Sequence, residues 1–357
     1  MTAGQSLAEG AAGRALLHLE RGMWEAAYAE LEQAVAAGVS VADAASLYYG
    51  APALAFVLAA SDQPGLARAK AAAAAGTATV TRHRLKTAHR RIDQRLRPEY
   101  AEYDLIRGLT GLGVALRRTG NVDLLREVLT YLVRLTDPIG PLPGWWCRHG
   151  PHREDLPGGH GNHGIAHGIT GPLTLLALSR LDGVHVDGHI EAMGRILEWL
   201  DAWRRQTDDG TVWWPQTITL ADLERAEPAQ AGPLRPSWCY GTPGVARACQ
   251  LAALAITDPA RQESAEAAFS ACVSDPHQLI RLTDRGLCHG TAGLLASARR
   301  IAADARIPIP LALIEKKHRH TPTSSDEPFG FLEGTAGITL VETATITTGW
   351  DACLLLI

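Results

Sequence analysis

A Gly-x-x-Gly motif followed by an apolar run recurs along the whole chain, and no other feature restricts the fold so strongly. The copies are Gly10-Ala-Ala-Gly13, Gly108-Leu-Thr-Gly111, Gly168-Ile-Thr-Gly171, Gly241-Thr-Pro-Gly244, Gly290-Thr-Ala-Gly293 and Gly334-Thr-Ala-Gly337, with a degenerate copy at Gly50-Ala-Pro-Ala53. Their first glycines are spaced 40 to 73 residues apart. Such a period indicates one supersecondary unit used seven times, each copy burying the apolar face its neighbour cannot bury alone.

Behind each motif lies a segment apolar on nearly every side, such as Ala15-Leu16-Leu17, Leu173-Thr174-Leu175-Leu176 and Leu294-Leu295-Ala296. That is the mark of a helix buried all round. Between them run stretches with an apolar stripe and a wet face, around 21–37, 122–136 and 189–205, as outer helices have. Strand signals are scarce. The expected fold is all-α, an α/α toroid (barrel) of seven inner and about seven outer helices; an open solenoid of the same helix pairs has the same periodicity. The glycines are expected to allow a tight turn into each inner helix and close approach of helices near the axis. The chain is read as a single barrel domain over residues 1–357, with long connections at about 137–164 and 206–236. The first carries Trp145, Trp146, His149, His152, His160 and His163, and reads either as a cover over one barrel end or as a flexible glycine-rich link.

With 357 residues, 46% of them apolar and 20% charged, the chain can bury a large core. A net charge of -4 gives no reason to expect nucleic acid or an anionic membrane as partner. The first ten residues lack a basic stretch leading into an apolar one, and no uncharged apolar run of about 18 residues occurs, so neither a signal peptide nor a transmembrane helix is expected. The six cysteines are too sparse and irregular for a disulfide framework. A reducing, cytoplasmic setting fits them.

Registering the repeats on their first glycine locates the chemistry. Two residues before it stand Ala8, Tyr48, Ile106, Ala166, Cys239, Cys288 and Leu332; one before it stand Glu9, Tyr49, Arg107, His167, Tyr240, His289 and Glu333. In a closed ring, equivalent positions share one height, so Cys239 and Cys288 should meet, with His289 and His167 beside them. Two cysteines and a histidine suit one zinc ion per chain, leaving the fourth tetrahedral position open to water or substrate. A fourth ligand from His163 or His160 would make the site structural instead. Cys249 and Cys272 read as packing residues, Cys147 as a loop residue open to exposure, and Cys353 as part of an apolar tail.

These residues also carry a family resemblance. Trp238-Cys239-Tyr240-Gly241 with Arg235 ahead of it, Cys288-His289-Gly290, and Asn162-His163-Gly164-Ile165-Ala166-His167-Gly168 resemble the signature motifs of LanC-type lanthipeptide cyclases. The stretch from Tyr103 through Asp104 and Arg107 to Gly111 is similar to that family's first catalytic motif. The resemblance spans essentially the whole chain. It implies an α/α toroid with zinc at one end of the central cavity, and an enzyme that adds cysteine thiols of a dehydrated ribosomal precursor peptide to dehydroalanine or dehydrobutyrine. The product is the thioether of lanthionine or methyllanthionine. By this likeness Cys239, Cys288 and His289 hold zinc, His167 and Asp104 are acid/base residues, and Arg235 and Tyr240 line the cavity beside the metal.

Elementary chemistry agrees with that implication. A free thiol with a pKa of about 8.5 is mostly protonated at neutral pH, whereas a thiol bound to zinc is a thiolate. Its attack on the alkene leaves an enolate that needs a proton at the α-carbon. His167 is the expected donor. Asp104 either orients it or caps the third inner helix, and Arg235 either steadies the enolate oxygen or pairs with a structural carboxylate. A separate dehydratase, and an exporter beside it, are the expected partners, since no dehydratase-like region precedes the barrel. The segment between the second and third repeats is too short for the small extra domain some relatives carry. It holds a basic run (Arg82, Arg84, Lys86, Arg90, Arg91, Arg95 and Arg97) that reads as a solvated helix face or as a dock for an acidic leader peptide. Three alternatives stay open: a prenyltransferase-like barrel alkylating thiols, a peptide-binding scaffold without catalysis, and addition of a small thiol such as glutathione.

Overall fold

The apolar segments behind the glycine motifs fold as helices, and the amphipathic stretches as further helices outside them. In chain order the pairs are α1 (Ala11–Glu20) and α2 (Trp24–Val35), α3 (Ala51–Leu58) and α4 (Ala67–Asp93), α5 (Leu109–Thr119) and α6 (Val122–Leu135), α7 (Thr170–Leu181) and α8 (His189–Trp203), α9 (Thr242–Ile256) and α10 (Pro259–Ser274), and α11 (Thr291–Asp304) and α12 (Leu311–His320). α13 (Thr335–Glu342) is the last inner helix. The computed structural model describes residues 3–150, 155–323, 327–343 and 345–357. His152 of the first long connection lies outside them.

Each odd-numbered helix packs on the next odd-numbered one, and α13 packs back on α1. The ring is closed, an α/α toroid and not a solenoid. Every residue of α3 is buried, while α6 shows the outer pattern, with its leucines turned inward and its charges outward. Fully burying one such leucine or phenylalanine contributes roughly 2 kcal/mol, and the inner helices bury most of theirs, Leu181 at the end of α7 being an exception.

A belt of backbone hydrogen bonds joins the repeats at the level of the two cysteines. The N–H of Leu332 donates to the carbonyl of Ala8 (3.0 Å), that of Cys288 to Leu332 (2.9 Å), and that of Cys239 to Cys288 (3.2 Å). The belt continues from Ala166 to Cys239 (3.4 Å) and from Leu105 to Ala166 (3.1 Å), and Leu7 donates to Tyr48 (3.0 Å). Between the second and third repeats a side chain makes the link. The Arg84 guanidinium of α4 donates to the carbonyls of Ala45 (3.4 Å), Ala101 (2.7 Å) and Arg107.

The glycines serve this belt. A Cβ on Gly244 or Gly293 would sit inside the carbonyl of Trp238 or Leu287, in the loop just before the same helix. The second glycine of the motif therefore admits its own preceding loop more than a neighbouring helix.

Two features differ from the sequence reading. Among the described residues there are six outer helices, because the chain after α13 turns into the lumen as a 3-10 turn, Trp350–Leu354. Tyr48 Oη donates to the carbonyl of Cys353 (2.9 Å), Trp238 Nε1 to Leu354 (2.9 Å), and the buried Arg247 guanidinium to Leu356 (2.6 Å). This buried segment plugs the barrel, bonded to side chains from the second and fifth repeats. The two long connections also contain strands: β1 (Cys147–His149), β2 (Asp155–Asn162), β3 (Arg205–Gln206), β4 (Val212–Trp213) and β5 (Thr217–Thr219). β2 from the first connection pairs antiparallel with β5 from the second, Asn162 opposite Thr217, giving a sheet ordered β1-β2-β5.

Candidate metal centre

At the belt level one end of the barrel opens into a cavity of about 600 Å³, lined by His167, Arg235, Cys239, Tyr240, Cys288, His289 and Glu333. Gln216 and Thr217 of the sheet segment close one side. The loops ahead of α9 and α11 place Cys239, Cys288 and His289 so that their donor atoms all lie within 4.8 Å of one another. Among the described residues this is the one such cluster able to hold a metal.

The electrostatics favour sulfur as anion. The hydrogen bond from Cys288 draws the Cys239 thiol down to about 7, helped by Ser237 and by the Arg235 guanidinium, against the cost of burial. The same bond pushes Cys288 up. Of the pair, Cys239 is the sulfur that loses its proton more readily, and a thiophilic cation bound there would draw off both protons.

His167 and Asp104 form a second unit. The fully buried Asp104 lies at the loop before α5, and its Oδ2 is 2.6 Å from Nδ1 of His167. Its Oδ1 accepts from the N–H groups of Arg107 (2.7 Å) and Gly108 (2.6 Å). One oxygen of Asp104 thus ties the loop ahead of α5, whose N-cap Gly108 has no side-chain cap, and the other faces the imidazole. The ring of Tyr100 stands edge-on to His167 at 5.5 Å, and Tyr240 lies 6.3 Å away between centroids. Tyr240 Oη accepts from Asn162 Nδ2 (3.0 Å). Arg235 Nη1 approaches Asp284 Oδ2 at 3.8 Å, so it does pair with a carboxylate, one that also lies 3.9 Å from Nε2 of His289.

Several sequence readings are corrected. His163 is no fourth ligand: its Nδ1 lies 2.7 Å from the carbonyl of Pro215, and Trp199 Nε1 donates to its Nε2 (2.7 Å). His160 is buried in β2 opposite Thr219, outside the cluster. Cys147 is buried, not exposed, and burial pushes its thiol up to about 12. The aromatic connection packs Trp145 and Trp146 edge-on against Trp199 of α8, beside the barrel wall. Of the basic run, Arg84 belongs to the belt, Arg91 pairs with Glu102 (2.5 Å), and Arg97 donates to Ile139 (2.7 Å) and Pro143 (3.2 Å). Arg82, Lys86, Arg90 and Arg95 remain on the solvated face.

Burial holds the His163 imidazole down at about 4. The unfolded chain takes up a proton below about 6.5, the folded chain not until about 4, so stability present above pH 6.5 is lost as pH falls. Between pH 7 and 4.5 the wild type should lose about 2–3 kcal/mol more unfolding free energy than His163→Gln, measured by urea titration. Equal losses would show that His163 is not buried as described.

Comparison with known proteins completes the picture. The model of the family described as lanthionine synthetase C-like protein matches residues 2–355. The chain belongs to the lanthionine synthetase C-like family. The nisin biosynthesis protein NisC of Lactococcus lactis subsp. lactis is 23% identical over 203 residues, which are 54% of this chain and 48% of NisC. The chain therefore spans about half the length of that relative. A solved structure of nisin cyclase covers 100% of this chain and 93% of its own, with a TM-score of 0.86 at 20% identity, and so shares the toroid fold. No helix among the described residues is long and apolar enough to cross a membrane.

In this family member one residue beside Arg235 and His289 escaped the sequence reading. Asp284 stands six residues before its repeat's first glycine, as do Asn162 and Arg235 in the two preceding repeats. Registering that position as well as the two nearest the glycine would have singled it out.

Proposed function

We propose that this chain is a zinc-dependent lanthipeptide cyclase that adds cysteine thiols of a dehydrated precursor peptide to dehydroalanine or dehydrobutyrine. The observation that carries the reading is the placement of Cys239, Cys288 and His289 within 4.8 Å, in the same cavity as the His167–Asp104 pair. The donor set suits zinc: two sulfurs and one imidazole, one thiol already drawn toward its anion, and no fourth protein donor gathered among the described residues. Zinc bound there supplies a substrate thiolate at neutral pH. Everything else is the work of side chains.

The sulfur–carbon bond forms at the β-carbon while the alkene electrons move toward the carbonyl oxygen. Arg235, on the cavity wall, is placed to meet that developing negative charge. With Nδ1 held by Asp104, His167 has Nε2 left for the cavity, and it delivers a proton there to the α-carbon. The proton given up by the substrate thiol restores His167. No electron is gained or lost, and the product is a thioether. Tyr240, fixed by Asn162, shapes the wall next to His167. The described cysteines are all unpaired by disulfides, which supports a reducing, cytoplasmic setting.

The test is mass spectrometry of a dehydrated peptide incubated with the zinc-loaded protein and then with a thiol-alkylating reagent. Cysteines that become unreactive with no change in peptide mass are expected. Full alkylation, or adducts of added glutathione in place of rings, would contradict the reading.

A further inference from the structure

The third metal-site residue, His289, is flanked by two carboxylates on opposite sides of its ring. Asp284 Oδ2 lies 3.9 Å from Nε2, and Glu333 Oε1 lies 3.7 Å from Nδ1. An imidazole that ligates a metal through one nitrogen carries a hydrogen on the other, and that N–H takes an acceptor which fixes the ring and raises its basicity. Neither contact is a hydrogen bond at these lengths, but each carboxylate is near enough to reach that N–H by a small side-chain rotation.

Local structure separates them. Asp284 is short and its Oδ1 already accepts from the N–H of Gly286 (3.2 Å), just as Asn162 Oδ1 accepts from Gly164 (2.9 Å) at the equivalent position of another repeat. The backbone carbonyl of Asp284 accepts from Thr291 at the start of α11 (3.0 Å), and Gly290 leaves room for the carboxylate against the turn. Its Oδ2 is left on the side of His289, where it also lies 3.8 Å from Arg235 Nη1. Glu333 has one more methylene, and its side chain is 62% exposed. Holding it against His289 costs rotamer freedom that Asp284 has already given up.

We propose that Asp284 is a positioning residue: one carboxylate oxygen takes the Nε2–H of His289 and the guanidinium of Arg235, setting the third ligand and the cavity arginine in fixed relation. This assignment rests on the zinc reading above. It makes Arg235 and His289 neighbours through a shared anion, so the group that meets the enolate oxygen is tied to the wall that holds the metal.

The experiment is zinc affinity by competition with a chromogenic chelator, on the full chain, for wild type, Asp284→Asn and Glu333→Gln. Asparagine keeps an oxygen for Gly286 but turns an N–H toward Nε2–H, so Asp284→Asn should bind zinc about 10–100-fold more weakly. Glu333→Gln should stay within about twofold of wild type, since an exposed carboxylate contributes little. Asp284→Ser, which also keeps a turn-capping oxygen, replaces the asparagine variant if circular dichroism shows that variant unfolded. Wild-type affinity in the Asp284 variant, or an equal loss in Glu333→Gln, overturns the assignment and leaves the zinc site standing. A wild-type protein that takes up no zinc overturns both.

Discussion

Asp104→Asn is expected to give a folded, zinc-loaded protein that cyclises its peptide about 10²–10⁴-fold more slowly. The substitution is nearly isosteric, and the asparagine carbonyl can still accept from Arg107 and Gly108, so the turn into α5 survives. What changes is the face toward His167. The carboxylate oxygen 2.6 Å from Nδ1 becomes an amide N–H, which demands a lone pair on Nδ1 and moves the ring hydrogen to Nε2. An imidazole held in that tautomer loses the counter-charge that lets it take a proton from the thiol and pass it to the α-carbon. A residue that served as a cap alone would behave otherwise: Asp104→Asn would be neutral, and Asp104→Ala would cost about 1 kcal/mol of stability at an unchanged rate. Single-turnover rates and urea midpoints for both variants, at verified zinc content, separate the two cases. A rate within twofold of wild type in Asp104→Asn would remove the pair from the chemistry.

The larger effect is expected for Cys239→Ala, which should lower bound zinc from one per chain to below roughly a tenth and abolish cyclisation. Cys239 contributes to the fold mainly through its backbone, whose N–H and carbonyl link Cys288 and Ala166 in the belt. Alanine preserves both links, so the variant should fold, with a stability loss of about 1 kcal/mol from the missing sulfur contacts. The site, however, falls from three donors to two. Cys288 then also loses its hydrogen-bond partner. Metal analysis after dialysis against a weak chelator reads the result directly. A Cys239→Ala protein that kept a full equivalent of zinc would contradict the ligand assignment.

These outcomes depend on a correspondence that was legible before any coordinates. The Gly-x-x-Gly period places the inner helices, and closure of the ring turns equal register into equal height. Cys239 and Cys288 then become neighbours joined by their own backbone hydrogen bond. The parts that were not legible lack a periodic signal. β2 reads Asp-Leu-Pro-Gly-Gly-His-Gly-Asn, with no alternation of apolar and polar residues and with positive φ at Gly158 and Gly159, so pairing with β5 makes it a strand where propensity does not. The lumen plug is apolar like any inner helix, and the carbonyls of Cys353, Leu354 and Leu356 find donors on Tyr48, Trp238 and Arg247, all distant in sequence. Arg84 sits in a run of basic residues that composition cannot divide; only the gap it spans between two repeats sets it apart from Arg82 and Lys86. His163 falls beside a motif histidine, yet its two ring nitrogens are engaged by Pro215 and Trp199, partners from elsewhere in the chain.

X-ray absorption at the zinc edge on the purified chain tests the shared premise of all these results. One zinc per chain with about two sulfur ligands near 2.3 Å, one imidazole nitrogen and one exchangeable light atom is the expected spectrum. A metal-free protein, or zinc bound without sulfur, would contradict it.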